Sequence, residues 1–263
     1  MNVTEDKSKD RQPHKEGHLQ MVSAEQKEYA EASACQRIAE NTDIITDLQT
    51  AGLLEEILRN DNLNAAYKKV KSNKGSGGVD GMDVEELLSY LRKHGRELNR
   101  QILDGKYKPN PVRRVEIPKE EKGKVRKLGI PTVVDRVYQQ ATAQVLLPIF
   151  EKQFSENSFG FRPKRGAHDA LKQCQKNAND GHVYVVDMDL EKFFDNVCQS
   201  KLIEVLSRTI KDGRVISLVH KYMNAGVVSN GLFEKTEIGV PQGGLCRYPH
   251  NPPYAELVIM QSN

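Results

Sequence analysis

No apolar run in this 263-residue sequence approaches the ~20 residues that span a bilayer. A membrane-crossing helix is therefore not expected. The first twenty residues, MNVTEDKSKDRQPHKEGHLQ, contain no apolar core and do not read as a secretory leader. Cysteine is scarce. The four present (Cys35, Cys174, Cys198 and Cys246) are widely spaced, and none forms a C-x-x-C pair. That spacing supports neither a disulfide framework nor a zinc site, and it reads as reduced thiols in a cytosolic protein. No two aspartates are adjacent anywhere in the chain. A glycine-rich stretch is present, but no Gly-Lys-Ser/Thr closes it, so it is not a Walker loop.

The remaining composition suits a globular protein with polar extensions, with 38% hydrophobic and 29% charged residues. The length allows one large domain or two small ones. Net charge is only +3, but it is unevenly spread. Residues 1–60 carry 7 Lys and Arg against 12 Asp and Glu, whereas residues 106–127 carry 9 Lys and Arg against 3 Glu. A basic segment on a nearly neutral chain points to a polyanion partner; a solvated charged hairpin is the competing reading.

Along the chain, residues 1–20 lack apolar periodicity and are expected to be disordered. Residues 23–60 read as helical, with Ile44, Ile45, Leu48, Leu53, Leu54, Ile57 and Leu58 at mixed i+3/i+4 spacing. A short helix is expected over Asn62 to Val70. The loop Lys71 to Met82 holds Gly75, Gly77, Gly78 and Gly81, which permits close approach to a partner backbone. Asp83 is placed to cap a helix bearing Leu87, Leu88, Leu91 and Leu98. Residues 112–130, VRRVEIPKEEKGKVRKLGI, read as a β-hairpin rich in cations. Lys on such a hairpin would act as a point charge, and Arg as a two-pronged fork on phosphate.

A helix beginning at Asp135 is expected to bury Val134, Tyr138, Ala141, Val145 and Ile149. In the following loop, Phe159 and Phe161 interleave with Arg162, Lys164 and Arg165. That mixture suits base stacking and phosphate contact, or an ordinary loop with two anchored rings. Helices are expected from Gly166 to Ala178, after a cap at Ser200, and over 214–224. Asn230-Gly231 signals a hairpin.

The stretch His182 to Val197, HVYVVDMDLEKFFDNV, concentrates the most chemistry. Val183 to Val186 read as a strand buried on both faces. Asp187 and Asp189, at i and i+2, would then share one face at its end. Buried carboxylates are costly unless a cation or donor compensates them. They could hold a hard metal such as Mg²⁺, cap the next helix, or pair with Lys or Arg.

Taken in order, five motifs resemble those of bacterial group II intron-encoded reverse transcriptases, or maturases. They are Gly78-Val-Asp-Gly-Met82, Arg126-Lys-Leu-Gly-Ile-Pro-Thr132, Ser158-Phe-Gly-Phe-Arg-Pro-Lys-Arg-Gly-Ala-His-Asp-Ala170, Asp187-Met-Asp-Leu-Glu-Lys-Phe-Phe-Asp195 and Gly239-Val-Pro-Gln-Gly-Gly244. The resemblance implies an α+β right-hand polymerase with helix-rich fingers, a basic β-hairpin and a partial palm. It divides the chain into a disordered tail (1–22), an N-terminal extension with the first fingers helices (23–110), fingers (111–180), partial palm (181–244) and an aberrant tail (245–263).

The implied reaction is RNA-templated DNA synthesis from dNTPs with Mg²⁺. By similarity Asp189 is the catalytic metal ligand and the Leu190 carbonyl a second one; Asp187 and Asp195 are weaker candidates. Lys119, Arg126, Phe194 and Gln242 would bind the nucleotide. Gly78, Phe161, Arg162, Lys164 and Arg165 would meet RNA. The implied partners are group II intron RNA, an RNA template with a DNA primer, and dNTP, with no membrane. A homodimer and a bacterial cytoplasmic ribonucleoprotein complete that expectation.

Residues 245–263, LCRYPHNPPYAELVIMQSN, depart from the family. They hold no aspartate, where the family carries Pro-Leu-Ser-Pro and then a Tyr-Ala-Asp-Asp hairpin supplying the other metal ligands. The chain is thus expected to be a fragment without polymerase activity of its own. Two alternatives stand beside it: an RNA-binding splicing helper without catalysis, and a product of a disrupted gene.

Overall fold

The structure, a computed structural model, describes residues 52–118, 125–190 and 192–240. The expected tail at 1–22, the helical reading before residue 52, Lys119 with the hairpin turn, Gln242 and residues 245–263 lie outside these.

The elements run α1 (Leu53–Leu58), α2 (Asn60–Ser72), α3 (Leu87–Leu103), β1 (Val112–Pro118), β2 (Val125–Ile130), α4 (Val133–Glu151), α5 (Ala167–Asn179), α6 (Phe193–Asn196), α7 (Gln199–Thr209), α8 (Gly213–Met223), β3 (Val227–Ser229) and β4 (Leu232–Glu234). This is the expected α+β class. The strands form one sheet in the order β2-β1-β3-β4. The β1–β2 pair is antiparallel from Arg113↔Ile130 to Pro118↔Val125. The β1–β3 pair is parallel at Val112↔Val227, and β3–β4 is an antiparallel hairpin. Its two-residue turn is Asn230-Gly231, both at positive φ (51° and 82°), as a tight hairpin requires.

Helix α4 is the hub. Its residues from Val133 to Ala143 are buried except Arg136, so its first three turns are covered on nearly all sides rather than on one stripe. Helices α1, α2 and α3 pack against it, and Leu54, Ile57, Ala66, Val70 and Leu87 enter the shared core. Full burial of Leu54 and Ile57 contributes roughly 2 kcal/mol each. Helices α7 and α8 join the same core through Leu202, Ile203, Leu206, Val215 and Val219.

Helix α4 starts at Val133, two residues before the expected Asp135. Thr132 is its N-cap, with Oγ1 accepting from the Asp135 N–H. Cys198 likewise takes the N-cap position before α7, ahead of the expected Ser200. Asp83 does precede α3 in a reciprocal box. Its Oδ1 accepts from the N–H groups of Glu85 and Glu86, and Glu86 Oε2 accepts from Asp83 N–H.

Val183 to Val186 do not form the expected buried strand. These residues form no regular element, and Val183 and Tyr184 are 78% and 93% exposed. No described strand pairs with them, and a β-branched run becomes a strand only when another strand satisfies its backbone groups.

A long-range clasp closes the helical part. Asp212 caps α8 and also accepts the Leu54 N–H at 3.1 Å, 158 residues away. Arg214 donates to Asp212 and places both Nη atoms on Glu55, at 2.6 and 2.8 Å.

Candidate nucleic-acid and nucleotide site

The hairpin β1–β2 is buried at one end, and its described residues are exposed toward the other. Val112, Leu128 and Gly129 are buried at its base, whereas Glu116, Ile117, Val125, Arg126 and Lys127 are exposed toward its tip. Arg126 stands opposite Ile117 and Lys127 opposite Glu116 in the register. The predicted Arg126 is thus on an exposed, outward-reaching part of the hairpin.

The glycine loop is seated on the base of that hairpin. A Cβ at Gly78 would stand 2.6 Å from Thr132 Cα, so only glycine fits there. Arg113 donates to the Gly77 carbonyl at 2.8 Å and to Ser76 Oγ at 2.7 Å, and Arg136 donates to the Ser76 carbonyl. The close approach expected of Gly78 is therefore an approach to the chain's own backbone. Residue spacing gave no sign of Arg113 and Arg136 as the loop's holders.

Beneath both sits a buried carboxylate to which the sequence reading assigned no chemistry. Asp135 accepts from Thr132 Oγ1 at 2.6 Å, Tyr107 Oη at 2.7 Å and the Asn110 N–H at 3.2 Å. Burial pushes its carboxyl above the usual range, against the pull of these donors. Burial also holds the Tyr107 hydroxyl far above its ordinary value, so it stays a proton donor. The node ties the entry to β1, the exit from β2 and the start of α4 together.

The loop after α4 turns two arginines inward. Arg162 is 4% exposed. Its Nε and Nη2 donate to Glu151 Oε1 at 3.1 and 2.8 Å, and its Nη1 donates to the carbonyls of Ser155 and Ser158 at 2.5 and 3.1 Å. The same guanidinium lies 5.3 Å from the centre of the Phe154 ring. Arg165 pairs with Glu156 at 2.6 Å and lies over Phe159 at 5.7 Å. Phe161 and Lys164 point the other way, both exposed and both at positive φ (55° and 61°). Each such residue costs roughly 1 kcal/mol or more.

The third group of predicted residues is brought together only in part. Phe193 and Phe194 on α6 meet edge to face, with centroids 5.5 Å apart. The opening of the Gly239-Val-Pro-Gln-Gly-Gly motif docks onto them. Gly239 N–H donates to Val197 O at 2.9 Å, and Val240 N–H to Phe194 O at 2.8 Å. Gln199 Nε2 donates to Gly239 O at 2.8 Å. A cleft of about 310 Å³ opens there, lined by Arg114, Phe194, Asp195, Thr236, Gly239 and Val240 among others. Arg114 is a lining residue that the sequence reading did not single out.

Asp187, Asp189 and Leu190 are exposed on the irregular segment before α6. Among the described residues no three His, Cys, Asp or Glu side chains converge to hold a metal ion. Two exposed aspartates without a converging third ligand do not make the octahedral oxygen cage that Mg²⁺ prefers. The described residues therefore do not fit a complete Mg²⁺ site.

A basic hairpin thus stands over a buried hub, and an aromatic turn meets a glycine motif. The family described as reverse transcriptase (RNA-dependent DNA polymerase) matches residues 117–246. The chain belongs to this family, in the form that group II introns encode. It is 34% identical over 210 residues to the group II intron-encoded protein LtrA of Lactococcus lactis subsp. cremoris, covering 80% of this chain and 35% of that protein. It is 37% identical over 204 residues to protein YkfC of Escherichia coli K12, covering 75% and 53%. The chain thus spans between a third and about half of these relatives. Its fold is also similar to a chain of a partial Cas6-RT-Cas1--Cas2 complex, with a TM-score of 0.52 at 20% identity over 79% of this chain and 34% of that one. Among the described residues no helix is long and apolar enough to cross a membrane.

Proposed function

We propose that this chain grips RNA through its fingers and contributes one side of a nucleotide site for RNA-directed DNA synthesis. The projecting β1–β2 arm carries the reading: its exposed Arg126 and Lys127 stand beyond a rigid base, where cations can reach phosphate without distorting the core. Lys119 and Arg126 would hold the triphosphate, and Phe194 and Gln242 would line the sugar and base side of the cleft. Phe161, Lys164 and the glycine loop around Gly78 would lie along the template. Asp189, with the Leu190 carbonyl, would supply part of a Mg²⁺ site.

RNA binding without catalysis is a second reading, favoured by the lack of three converging ligands among the described residues. By likeness to the relatives, the RNA is group II intron RNA, and the setting is a bacterial cytoplasmic ribonucleoprotein. A homodimer is open to sedimentation measurement.

The test has two arms on the 263-residue chain. RNA affinity is expected to fall steeply with salt and to weaken in Arg126→Gln. Affinity indifferent to salt would overturn the RNA-binding reading. Primer extension on an RNA template is expected to be absent; extension abolished by Asp189→Ala would show that the chain completes the metal site by itself.

A further inference from the structure

The loop from Ser155 to Arg165 has an inner and an outer surface, and its cations divide between them. Arg162 is the most buried, with four hydrogen bonds to Glu151, Ser155 and Ser158 and a ring contact to Phe154. Its donors face Glu151 at the end of α4 and two carbonyls of the loop, so the guanidinium is not presented to a ligand. Arg165 braces the loop's flank through Glu156 and Phe159. Phe161, 62% exposed, and Lys164 occupy left-handed backbone positions on the outer surface. A large ring held in that conformation in water has no packing reason to be there. A strained, solvent-facing aromatic beside a cation has the chemistry of a base platform with a phosphate contact next to it.

We propose that Arg162 is a positioning residue, not an RNA contact. Its fork folds the loop into the one shape that presents Phe161 for stacking with an unpaired base, while exposed Lys164 reaches a phosphate on its own flexible stem. The inference rests on the RNA-binding reading above and names its recognition mode: single-stranded RNA read by stacking, without sequence preference. Lysine cannot replace Arg162, because one ammonium group cannot reproduce a planar fork that spans Glu151 and two carbonyls.

The experiment uses the 263-residue chain and a labelled single-stranded RNA containing 2-aminopurine, followed by anisotropy and by quenching of the probe. Phe161→Leu is expected to lower affinity about tenfold and abolish quenching. Lys164→Gln is expected to flatten the log–log salt slope by about 0.7. Arg162→Lys and Arg162→Gln are both expected to match Phe161→Leu, with the wild-type salt slope retained. The Phe161→Leu/Arg162→Lys double variant is expected to lose nothing further.

Wild-type affinity in Arg162→Lys, or a flattened slope in Arg162→Gln alone, would overturn the positioning role. Losses that add in the double variant would overturn it too. If the Arg162 variants fail to fold by circular dichroism, Glu151→Ala takes their place. It removes the carboxylate that receives two of the fork's hydrogen bonds and is expected to lower quenching; full quenching there would overturn the proposal. A wild-type chain that binds no RNA would overturn the proposed function itself, whereas wild-type binding that Phe161→Leu leaves intact would overturn only this inference.

Discussion

The backbone N–H of Val240 donates to the carbonyl of Phe194 across 2.8 Å, which fixes the glycine motif against the aromatic turn. Gly239, one residue earlier, makes that contact possible. It sits at φ 80°, and a Cβ there would lie 2.7 Å from Asp195 O and 2.8 Å from Phe194 O. Gly239→Ala combines a backbone clash with left-handed strain and is expected to destabilise the chain by about 2 kcal/mol. Urea denaturation would measure the loss, and hydrogen exchange at Val240 would show whether the docked segment lets go first.

Asp212→Ala removes a helix cap, the acceptor of the Leu54 N–H and one partner of Arg214 together. The cap alone is worth about 1 kcal/mol, and the buried N–H left unpaired adds about 1–3 kcal/mol. A total near 3 kcal/mol is expected in chemical denaturation. Asp212→Asn, which keeps an acceptor for the cap, is expected to lose distinctly less.

The Glu55–Arg214 pair predicts an acid-sensitive limb. The hydrogen bond from Arg214 holds the Glu55 carboxyl below its ordinary value of 4.5. A depressed folded-state pKa gives stability that is present above the unfolded value and lost as pH falls through the folded one. The urea midpoint is therefore expected to drop as pH goes below about 4.5, with a shallower drop in Glu55→Gln. The pair is about half exposed, so the difference is small and should shrink in high salt.

Asp135 predicts the opposite slope. Burial raises its carboxyl pKa in the folded state, so its contribution is greatest below the unfolded value and is lost as pH rises through the folded one. Asp135→Asn keeps an acceptor for the Asn110 N–H and is expected to close the gap on the wild type as pH rises. Asp135→Ala strands the donors of Tyr107, Thr132 and Asn110 and is expected to cost about 3 kcal/mol or more. Stability curves for both variants between pH 4 and 8 would check the signs.

Local signals were legible in the sequence and long-range ones were not. The Asn230-Gly231 turn, the two hairpin arms and the helices around them follow from periodicity and turn chemistry, because those act within a few residues. Val183 to Val186 was misread because β-branched composition states a willingness to pair, not the presence of a partner. Arg162 looked like an RNA contact because its neighbours are basic and aromatic; only the fold brings Glu151 and the Ser155 carbonyl within its reach. The family motifs located Phe194 and the glycine motif as separate pieces. Their contact across more than forty residues, and the Asp135 node under the hairpin, come from tertiary placement that no spacing records.

The sheet also sets an order of events. The β1–β2 pair closes locally, but β1 meets β3 at Val112↔Val227 and Arg113↔Val228, and the Leu54–Asp212 clasp spans a still longer stretch of chain. Contacts so distant in sequence form late, because the intervening loop must be ordered first. During synthesis the helices around α4 can therefore pack while the outer edge of β1 still waits for its neighbour. A nascent chain arrested before Val227 would present that edge bare, and the interval before β3 emerges is when this protein is most open to mispairing.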